Sequence, residues 1–315
     1  MRAETASPDD EIKTSFKHRL KAWWNGVDVA GDNANEESFD DLSEEEKIVI
    51  KDGPPSVNGW SLSRQRSVVT LFGEGMTRCI PDDTKGKLTK PLCINKALSV
   101  SELGSGLGGF TRWVSSEYDA YVTGYEADEA LRDSAAVMTK DAGLHRKVKF
   151  LHCDFNNLDP KPRSADVVYA SEALFTVKDK AACFAAIFKM LKPAGQFMMS
   201  DYMLEGIEPT APELKPWQDA EPIPANPIDV EETRRLLTEV GFEISIAENV
   251  TAEYKSNVLK SFADYATRTG NGEKSGHLHE WILNEGELWM RRIKMMDAGN
   301  LKVFRIYARK PFDIK

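Results

Sequence analysis

A glycine-rich run between a short apolar segment and a helix carries the clearest chemistry in this sequence. It reads Glu102-Leu103-Gly104-Ser105-Gly106-Leu107-Gly108-Gly109. Glycines allow a tight turn and a close approach of backbone to ligand, and the start of a helix offers free N–H groups. The spacing also fits G-x-G-x-x-G, the dinucleotide fingerprint, so the loop alone leaves the kind of nucleotide open.

Acidic residues at three successive strand ends narrow that choice. Glu102 ends the strand before the glycines, and Glu126 ends the next strand, about 20 residues after the loop, where an acid can accept both ribose hydroxyls. A carboxylate at Glu102 would repel a pyrophosphate but suits an ammonium and a sulfonium. Asp154 can accept from an adenine amino group, and Phe155 can cover the ring. The set predicts a site for a sulfonium-bearing nucleoside.

The elements that must position these residues alternate between short apolar strands and helices, which predicts a parallel α/β sheet. We expect strands at 98–103, 121–126, 148–151, 165–170, 195–201, 242–247 and 302–308. We expect helices near 109–116, 129–142, 178–191 and 229–240, the last capped by Asp229, and mostly helical chain over 248–301. Clustered prolines between residues 209 and 227 predict irregular chain there.

The chain divides into three predicted parts. Residues 1–50 form an N-terminal arm, helical or partly flexible, and 51–97 form a helical lead-in. Residues 98–315 form the main α/β domain, a doubly wound and mostly parallel seven-stranded sheet, with cap insertions at 203–228 and 248–301. Trp23-Trp24 in the arm indicate either a lid or partner contact, or a small helix packed on the body.

Composition limits the classes of partner. The 315 residues carry a net charge of −9 with a pI near 5.3, so nucleic acid is not expected as a partner. No apolar run approaches the roughly 20 residues of a membrane span, and the N-terminus has no apolar signal core. The four cysteines are widely spaced and predict reduced thiols in a cytoplasmic protein. A homodimer is left open.

This combination resembles the class I S-adenosylmethionine-dependent methyltransferases over about residues 65–310. Leu191-Lys192-Pro193-Ala194-Gly195 is similar to the family's Leu-Lys-Pro-Gly-Gly, and 302–309 fits its last, antiparallel strand. The resemblance implies a Rossmann-like methyltransferase fold with S-adenosylmethionine as cofactor. It implies a cofactor site formed by Glu102, Gly104, Ser105, Gly106, Gly108, Glu126, Ala127, Asp154, Phe155 and Ser171.

A narrower resemblance is to the phosphoethanolamine and small-amine methyltransferases. Five short motifs occur in the family's order: Phe72-Gly73-Glu74-Gly75, Ala170-Ser171-Glu172-Ala173-Leu174, Met199-Ser200-Asp201-Tyr202, Asp229-Val230-Glu231-Glu232 and Trp289-Met290-Arg291-Arg292-Ile293. The family's Tyr, its His and its phosphate-gripping Arg-x-Tyr are replaced here by Ser67-Val68-Val69, Thr176-Val177-Lys178 and Ile223-Pro224-Ala225. The same scaffold with a different acceptor is implied.

Methyl transfer is an in-line displacement, in which a neutral amine or thioether needs no base but a hydroxyl does. The candidate catalytic residues are Glu172, Tyr202, His277 and His279, and the candidate substrate-binding residues are Arg291, Arg292 and Trp281. Competing interpretations are a solvated loop for the two histidines and a core position for Trp281. No third ligand accompanies the histidines, so no metal is expected.

The sequence therefore predicts an S-adenosylmethionine-dependent methyltransferase that acts on a small metabolite through an N, O or S acceptor. A phosphoethanolamine-type N-methyltransferase is the alternative within the same class. Outside it, an NAD(P)-dependent oxidoreductase and a non-catalytic, cofactor-binding regulatory protein remain.

Overall fold

The structure is a computed structural model that describes residues 59–269 and 277–312. Three of the expectations above lie outside the described residues. They are the arm 1–50 with its Trp23-Trp24 pair, the solvated loop before the last helix, and the side chain of His277.

The described chain contains one seven-stranded sheet in the order β3-β2-β1-β4-β5-β7-β6. The strands are β1 Ser99–Leu103, β2 Tyr121–Glu126, β3 Val148–His152, β4 Ala165–Ser171, β5 Leu191–Met203, β6 Glu243–Asn249 and β7 Lys302–Arg309. β1 to β5 pair in parallel, and β7 lies antiparallel between β5 and β6. The predicted doubly wound, mostly parallel sheet is confirmed.

The carboxyl ends of the first four strands meet along one edge of the sheet. In register, Glu102 of β1 lies beside Gly124 of β2 and Tyr169 of β4, while Glu126 pairs with His152 of β3. Because β1 is also where the strand order reverses, this edge has the crevice in which open α/β sheets bind ligands.

Helices cover the sheet, and three of them are capped at their N-termini by aspartate side chains. The side chains of Asp128, Asp179 and Asp229 each accept a backbone N–H at a helix N-terminus, including the predicted cap at Asp229. None of the helices in the described ranges combines the length and apolar character that a membrane span needs. The helices are α1 Leu62–Phe72, α2 Asp82–Thr89, α3 Gly109–Tyr118, α4 Glu129–Asp141, α5 Lys180–Met190, α6 Lys215–Gln218, α7 Val230–Val240, α8 Thr251–Thr269 and α9 His277–Asp297.

Strand β5 begins four residues earlier than expected. The run from Leu191 to Gly195 continues the strand directly from α5 instead of forming a separate turn. Its pairing with β4 shifts between Ala165 and Val167, and Ala194 takes a φ of 62°. The proline is thus accommodated in a bulged strand start, the place where sheets tolerate proline.

The lead-in helix α1 packs against the two long C-terminal helices. Arg64 Nε donates to Glu285 of α9 at 2.6 Å in a buried ion pair. Phe72 contacts Phe262 of α8 and Trp289 of α9 edge to face. The segment that follows α1 contacts the start of α3, where Gly109 N–H donates to Gly75 O at 2.8 Å.

The insertion 203–228 is irregular, as its prolines predict, apart from short helical turns. It is fastened to the turn after β4 through Asn226, whose N–H donates to Phe175 O and whose side chain donates to Thr176 O. Buried Lys180 donates to the backbone carbonyls of Leu174, Val177 and Asn226. The insertion is therefore held close to the end of β4.

Candidate active site

The glycine loop turns sharply across the ends of β1 and β2. Gly104, Gly106 and Gly108 have φ values of 75°, 55° and 74°, a region that favours glycine. The N–H groups of Gly104 and Ser105 donate to Tyr125 O at 2.9 and 3.1 Å. Helix α3 begins immediately afterwards at Gly109, whose N–H donates to Gly75 O at 2.8 Å.

The segment after α1 and the turn after β4 close tightly against this loop. A Cβ on Gly104 would lie 2.5 Å from Ala173 Cβ, and one on Gly106 would lie 2.5 Å from Thr77 Oγ1. Ser105 Oγ is buried and has no hydrogen-bond partner among the described residues. We call residues 104–108 the cradle. Larger side chains would not fit at its glycines, and Ser105 Oγ is a buried polar atom without a partner among the described residues.

Glu126 ties the second strand to the loop. Its Oε2 accepts from Gly106 N–H at 2.7 Å and its Oε1 from Asp128 N–H at 3.0 Å. Burial raises the pKa of Glu126, while these two backbone donors lower it. The carboxylate is therefore held rigidly at the predicted place, with exposed Ala127 next to it.

The structure differs from the prediction for Glu102, because its carboxylate is already paired with Arg78. Arg78 Nη2 donates to Oε1 at 2.7 Å, Thr111 donates to Oε2, and Arg78 Nη1 also donates to Gly104 O at 2.8 Å. Burial raises the pKa of Glu102 and Arg78 opposes that rise. Glu102 acts on the loop through Arg78 instead of offering a free carboxylate to an ammonium.

Asp154 and Phe155 follow β3 as predicted. Asp154 is exposed and accepts from Asn156 N–H and from the Asn157 side chain, which lower its pKa with the Asn157 bond foremost. Phe155 is half-buried and packs against the core beneath β4 and α5. Ser171 is buried at the end of β4. These residues line the same edge as the glycine loop.

Glu172 forms a compact cluster with two tyrosines just past β4. Glu172 Oε2 accepts from Tyr202 OH at 2.7 Å and from Tyr254 OH at 2.8 Å, and the two hydroxyl oxygens are 2.6 Å apart. Burial raises the pKa of both tyrosines well above the ordinary value. The structure thus brings together two of the predicted catalytic residues, Glu172 and Tyr202, and adds Tyr254.

Tyr254 could not be singled out from the sequence. It lies on α8, which the sequence indicated only as part of a mostly helical stretch, and no local motif surrounds it. Arg78 was missed for the same reason, although it stands only three residues after the Phe72–Gly75 motif.

Asp201 anchors the turn that carries this cluster. Its carboxylate accepts from the N–H groups of Leu174, Phe175 and Tyr202. Burial raises the pKa of Asp201 to about 7, against these backbone donors and nearby Lys180, which lower it. The side chain is structural, because all three of its donors are backbone groups of the turn and strand.

The three predicted substrate-binding residues lie in different surroundings. Arg291 is exposed and lies 3.8 Å from Glu287 on the same helix. Arg292 is buried and makes a bidentate pair with Glu221, with both nitrogen-to-oxygen distances 2.7 Å. Trp281 is buried, so its core interpretation holds. A role of these three residues in binding the acceptor stays a prediction.

His279 lies apart from the Glu172 cluster. Its Nδ1 is 3.3 Å from Tyr265 OH, and the two rings stack. His277 is the first residue of α9. Within the ranges 59–269 and 277–312, no group of three or more His, Cys, Asp or Glu is placed to hold a metal.

Comparison with known proteins agrees with this arrangement. Residues 101–199 match the family described as "Methyltransferase domain". Phosphoethanolamine N-methyltransferase 1 of Arabidopsis thaliana is 26% identical over 197 residues, which cover 62% of this chain and 38% of that protein. Sterol 24-C-methyltransferase erg-4 of Neurospora crassa is 29% identical over 117 residues, 37% of this chain and 31% of that protein. The chain thus spans less than half the length of these curated relatives.

Solved structures share the fold at low identity. Phosphoethanolamine N-methyltransferase 2 of Haemonchus contortus, in complex with S-adenosyl-L-methionine, superposes with a TM-score of 0.68 at 19% identity, covering 78% of this chain and 56% of that one. The [4+2]-cyclase SpnF superposes with a TM-score of 0.60 at 16% identity, covering 82% and 99%. Both resemblances found in the sequence are confirmed. Residues 101–199 thus match the methyltransferase-domain family, and the described chain has the fold of the class I S-adenosylmethionine-dependent methyltransferases.

Proposed function

We propose that this chain transfers a methyl group from S-adenosylmethionine to a small-molecule acceptor. The proposal rests on the hydrogen bond that Gly106 N–H donates to Glu126 Oε2 at 2.7 Å. It fixes a buried carboxylate against the glycine loop at the carboxyl edge of β2, where an acid can accept from ribose hydroxyls. The family match covers the same segment.

The residues of the cradle fit the cofactor. Gly104, Gly106 and Gly108 permit the sharp turn that brings the loop backbone to the edge of the sheet, and buried Ser105 Oγ lacks a partner among the described residues. S-adenosylmethionine, when bound, supplies an activated methyl group on a sulfonium. We assign its binding to the predicted set: Gly104, Ser105, Gly106, Gly108, Glu126, Ala127, Asp154, Phe155 and Ser171, with Glu102 acting through Arg78.

The chain's contribution to the reaction is orientation and exclusion of water. The segment around Thr77 covers the loop from one side, and Ala173 closes it from the other. Holding the acceptor in line with the methyl group can account for about 7–11 kcal/mol of the barrier. We propose that Glu172, which is next to Ala173, and Tyr202 bind and orient the acceptor.

The sheet order weighs against an NAD(P)-dependent oxidoreductase. Dinucleotide-binding sheets have the parallel order 3-2-1-4-5-6, whereas here antiparallel β7 separates β5 from β6. A fold does not fix a reaction, and a cyclase shares this one. Non-catalytic cofactor binding is therefore an outcome that the experiment must be able to detect.

Calorimetric titration with S-adenosylhomocysteine and with NAD⁺ tests the cofactor assignment. We expect S-adenosylhomocysteine to bind and Glu126→Ala to weaken that binding at least about tenfold, the effect of losing roughly one strong hydrogen-bonded contact. Glu129→Gln, at an exposed neighbouring carboxylate, is the matched control and should bind normally. Binding of NAD⁺ in place of S-adenosylhomocysteine would refute the proposal.

The remaining expectations stay predictions. A phosphoethanolamine-type acceptor is favoured by the names of the matched plant relatives. A cytoplasmic location, a homodimer, the absence of a nucleic-acid partner and the division at residues 50 and 97 stand on composition and pattern alone.

A further inference from the structure

We infer that one face of β2 and β3 docks on a membrane surface that carries anionic lipids. Tyr121, Lys149 and Leu151 define this surface, which we call the β3 face. The proposed methyl transfer does not use it, so the inference and the proposed function can fail separately.

The two faces of β2 and β3 differ in how they are covered. Val122 and Val148 are neighbours in the pairing of these strands and are buried together with side chains of α3. Residues that are adjacent along a strand point to opposite faces of the sheet. Tyr121, Lys149 and Leu151 therefore point away from α3. Parallel strands are normally covered on both faces, so an exposed second face needs an explanation.

The connection from β3 to β4 leaves the β3 face open. A parallel crossover usually carries a helix, but within residues 153–164 the helical structure is limited to the three-residue turn Phe155–Asn157. Tyr121 is 59% exposed and Leu151 is 41% exposed. Lys149 is exposed as well, and along the strands it lies between the levels of these two residues. The β3 face thus presents an aromatic, a cationic and an aliphatic side chain in succession.

The surroundings of the β3 face are basic, although the chain as a whole is acidic. Residues 140–163 contain six Lys or Arg and three Asp, whereas the whole chain has a net charge of −9. One of these cations, Lys147, is paired with Asp119, but Arg146, Lys149 and Lys161 are exposed. An anionic surface therefore attracts this side of the molecule and repels the rest, which orients the β3 face toward it.

The residue types favour a lipid surface over a protein partner. Protein interfaces are depleted in lysine, whereas tyrosine is enriched where membranes meet water. The stem of a lysine can cover apolar surface while its ammonium reaches the lipid headgroups. A second copy of the chain is disfavoured, because a two-fold interface uses the same patch on both subunits and would place these cations opposite one another.

The charges predict a modest affinity that depends on salt. One Lys or Arg near an anionic membrane contributes about 1 kcal/mol, which is about fivefold in affinity. Arg146, Lys149 and Lys161 together should therefore favour anionic over neutral vesicles by about 100-fold. Because the three cations are exposed, salt should screen this preference.

Co-sedimentation of the full chain with lipid vesicles tests the inference. Vesicles of phosphatidylcholine alone are compared with an equal mixture of phosphatidylcholine and phosphatidylserine, at low salt and at about 1 M salt, where screening is nearly complete. We expect binding to the mixed vesicles at low salt and little binding in the other conditions. No binding to the mixed vesicles, or equal binding to both kinds, would overturn the inference.

Charge-reversal variants locate the binding surface. Lys149→Glu and Lys161→Glu should each weaken binding at least about fivefold, and Leu151→Ser should weaken it as well. Lys215→Glu makes the same change of charge at an exposed side chain of α6 and is the matched control, which should bind normally. Equal losses at Lys149, Lys161 and Lys215 would contradict docking through the β3 face.

Light scattering of the chain without lipid examines the competing occupant. We expect Leu151→Ser to leave the oligomeric state unchanged. A dimer that this variant dissociates would show that a second copy of the chain covers the β3 face, and the inference of a lipid surface would then be wrong.

Discussion

Removing Arg78 should destabilise the fold through the carboxylate it leaves behind. Arg78→Met keeps much of the side-chain volume but deletes the 2.7 Å contact to Glu102 and the 2.8 Å contact to Gly104 O. Glu102 is 1% exposed, so water cannot replace the guanidinium. Breaking a buried pair from one side costs about 3–5 kcal/mol. We expect a loss of that size in the free energy of unfolding, measured by urea denaturation at pH 7.

Two further measurements make this reasoning refutable. The double variant Arg78→Met/Glu102→Gln should recover much of the loss, since no charge is then left buried. Burial already raises the pKa of Glu102, and without Arg78 it rises further. The deficit should therefore shrink as pH falls, because a protonated Glu102 needs no cation. A single-variant loss below about 1 kcal/mol, as at an exposed pair, or no rescue by Glu102→Gln, would refute the account.

Three other outcomes follow from the same structure. Gly106→Ala should reduce S-adenosylhomocysteine affinity at least tenfold in calorimetry, because Gly106 has a φ of 55° and the new Cβ would lie 2.5 Å from Thr77 Oγ1. The left-handed backbone alone costs about 1–2 kcal/mol with a side chain present. Unchanged affinity would contradict the role of the glycine loop in binding the cofactor. Burial raises the pKa of Asp201 to about 7 in the folded state, so the stability that protonated Asp201 contributes is present in acid and is lost as pH rises through about 7. Asp201→Asn should therefore flatten the dependence of the melting temperature on pH. The same pH dependence in the variant and in the unchanged protein would contradict this role of Asp201. Arg291→Gln changes an exposed side chain, so turnover should be unchanged and the free energy of unfolding should stay within about 0.5 kcal/mol. A loss of acceptor affinity in this variant would show that Arg291 binds the acceptor.

The parts of this fold that depend on neighbouring residues were predictable from the sequence. The glycine loop, the acids after β1 and β2 and the Asp229 cap are local patterns, and each strand lies within a few residues of its expected place. The start of β5 was missed because Pro193 and Gly195 usually end an element, while here strand pairing with β4 overrides that preference.

The charged parts of the site were less predictable because their partners are distant in the chain. Arg292 pairs with a glutamate 71 residues away, and Tyr254 joins Glu172 across 82 residues. A sequence shows that a charged residue is present but not whether a second charge will neutralise it. That missing fact separates Arg292, whose guanidinium pairs with Glu221, from Glu172, which makes no ion pair within residues 59–269 and 277–312.

The position of β7 has a consequence for synthesis of the protein. This strand pairs with β5 over eight residues and with β6 on its other side, yet it is synthesised after the other six strands of the sheet. A nascent chain that ends before Lys302 has a vacant slot between two hydrogen-bonding edges, and such edges invite pairing with other chains. Completion of the sheet is therefore a late event, and shielding of the nascent chain by chaperones would matter most in the interval before it.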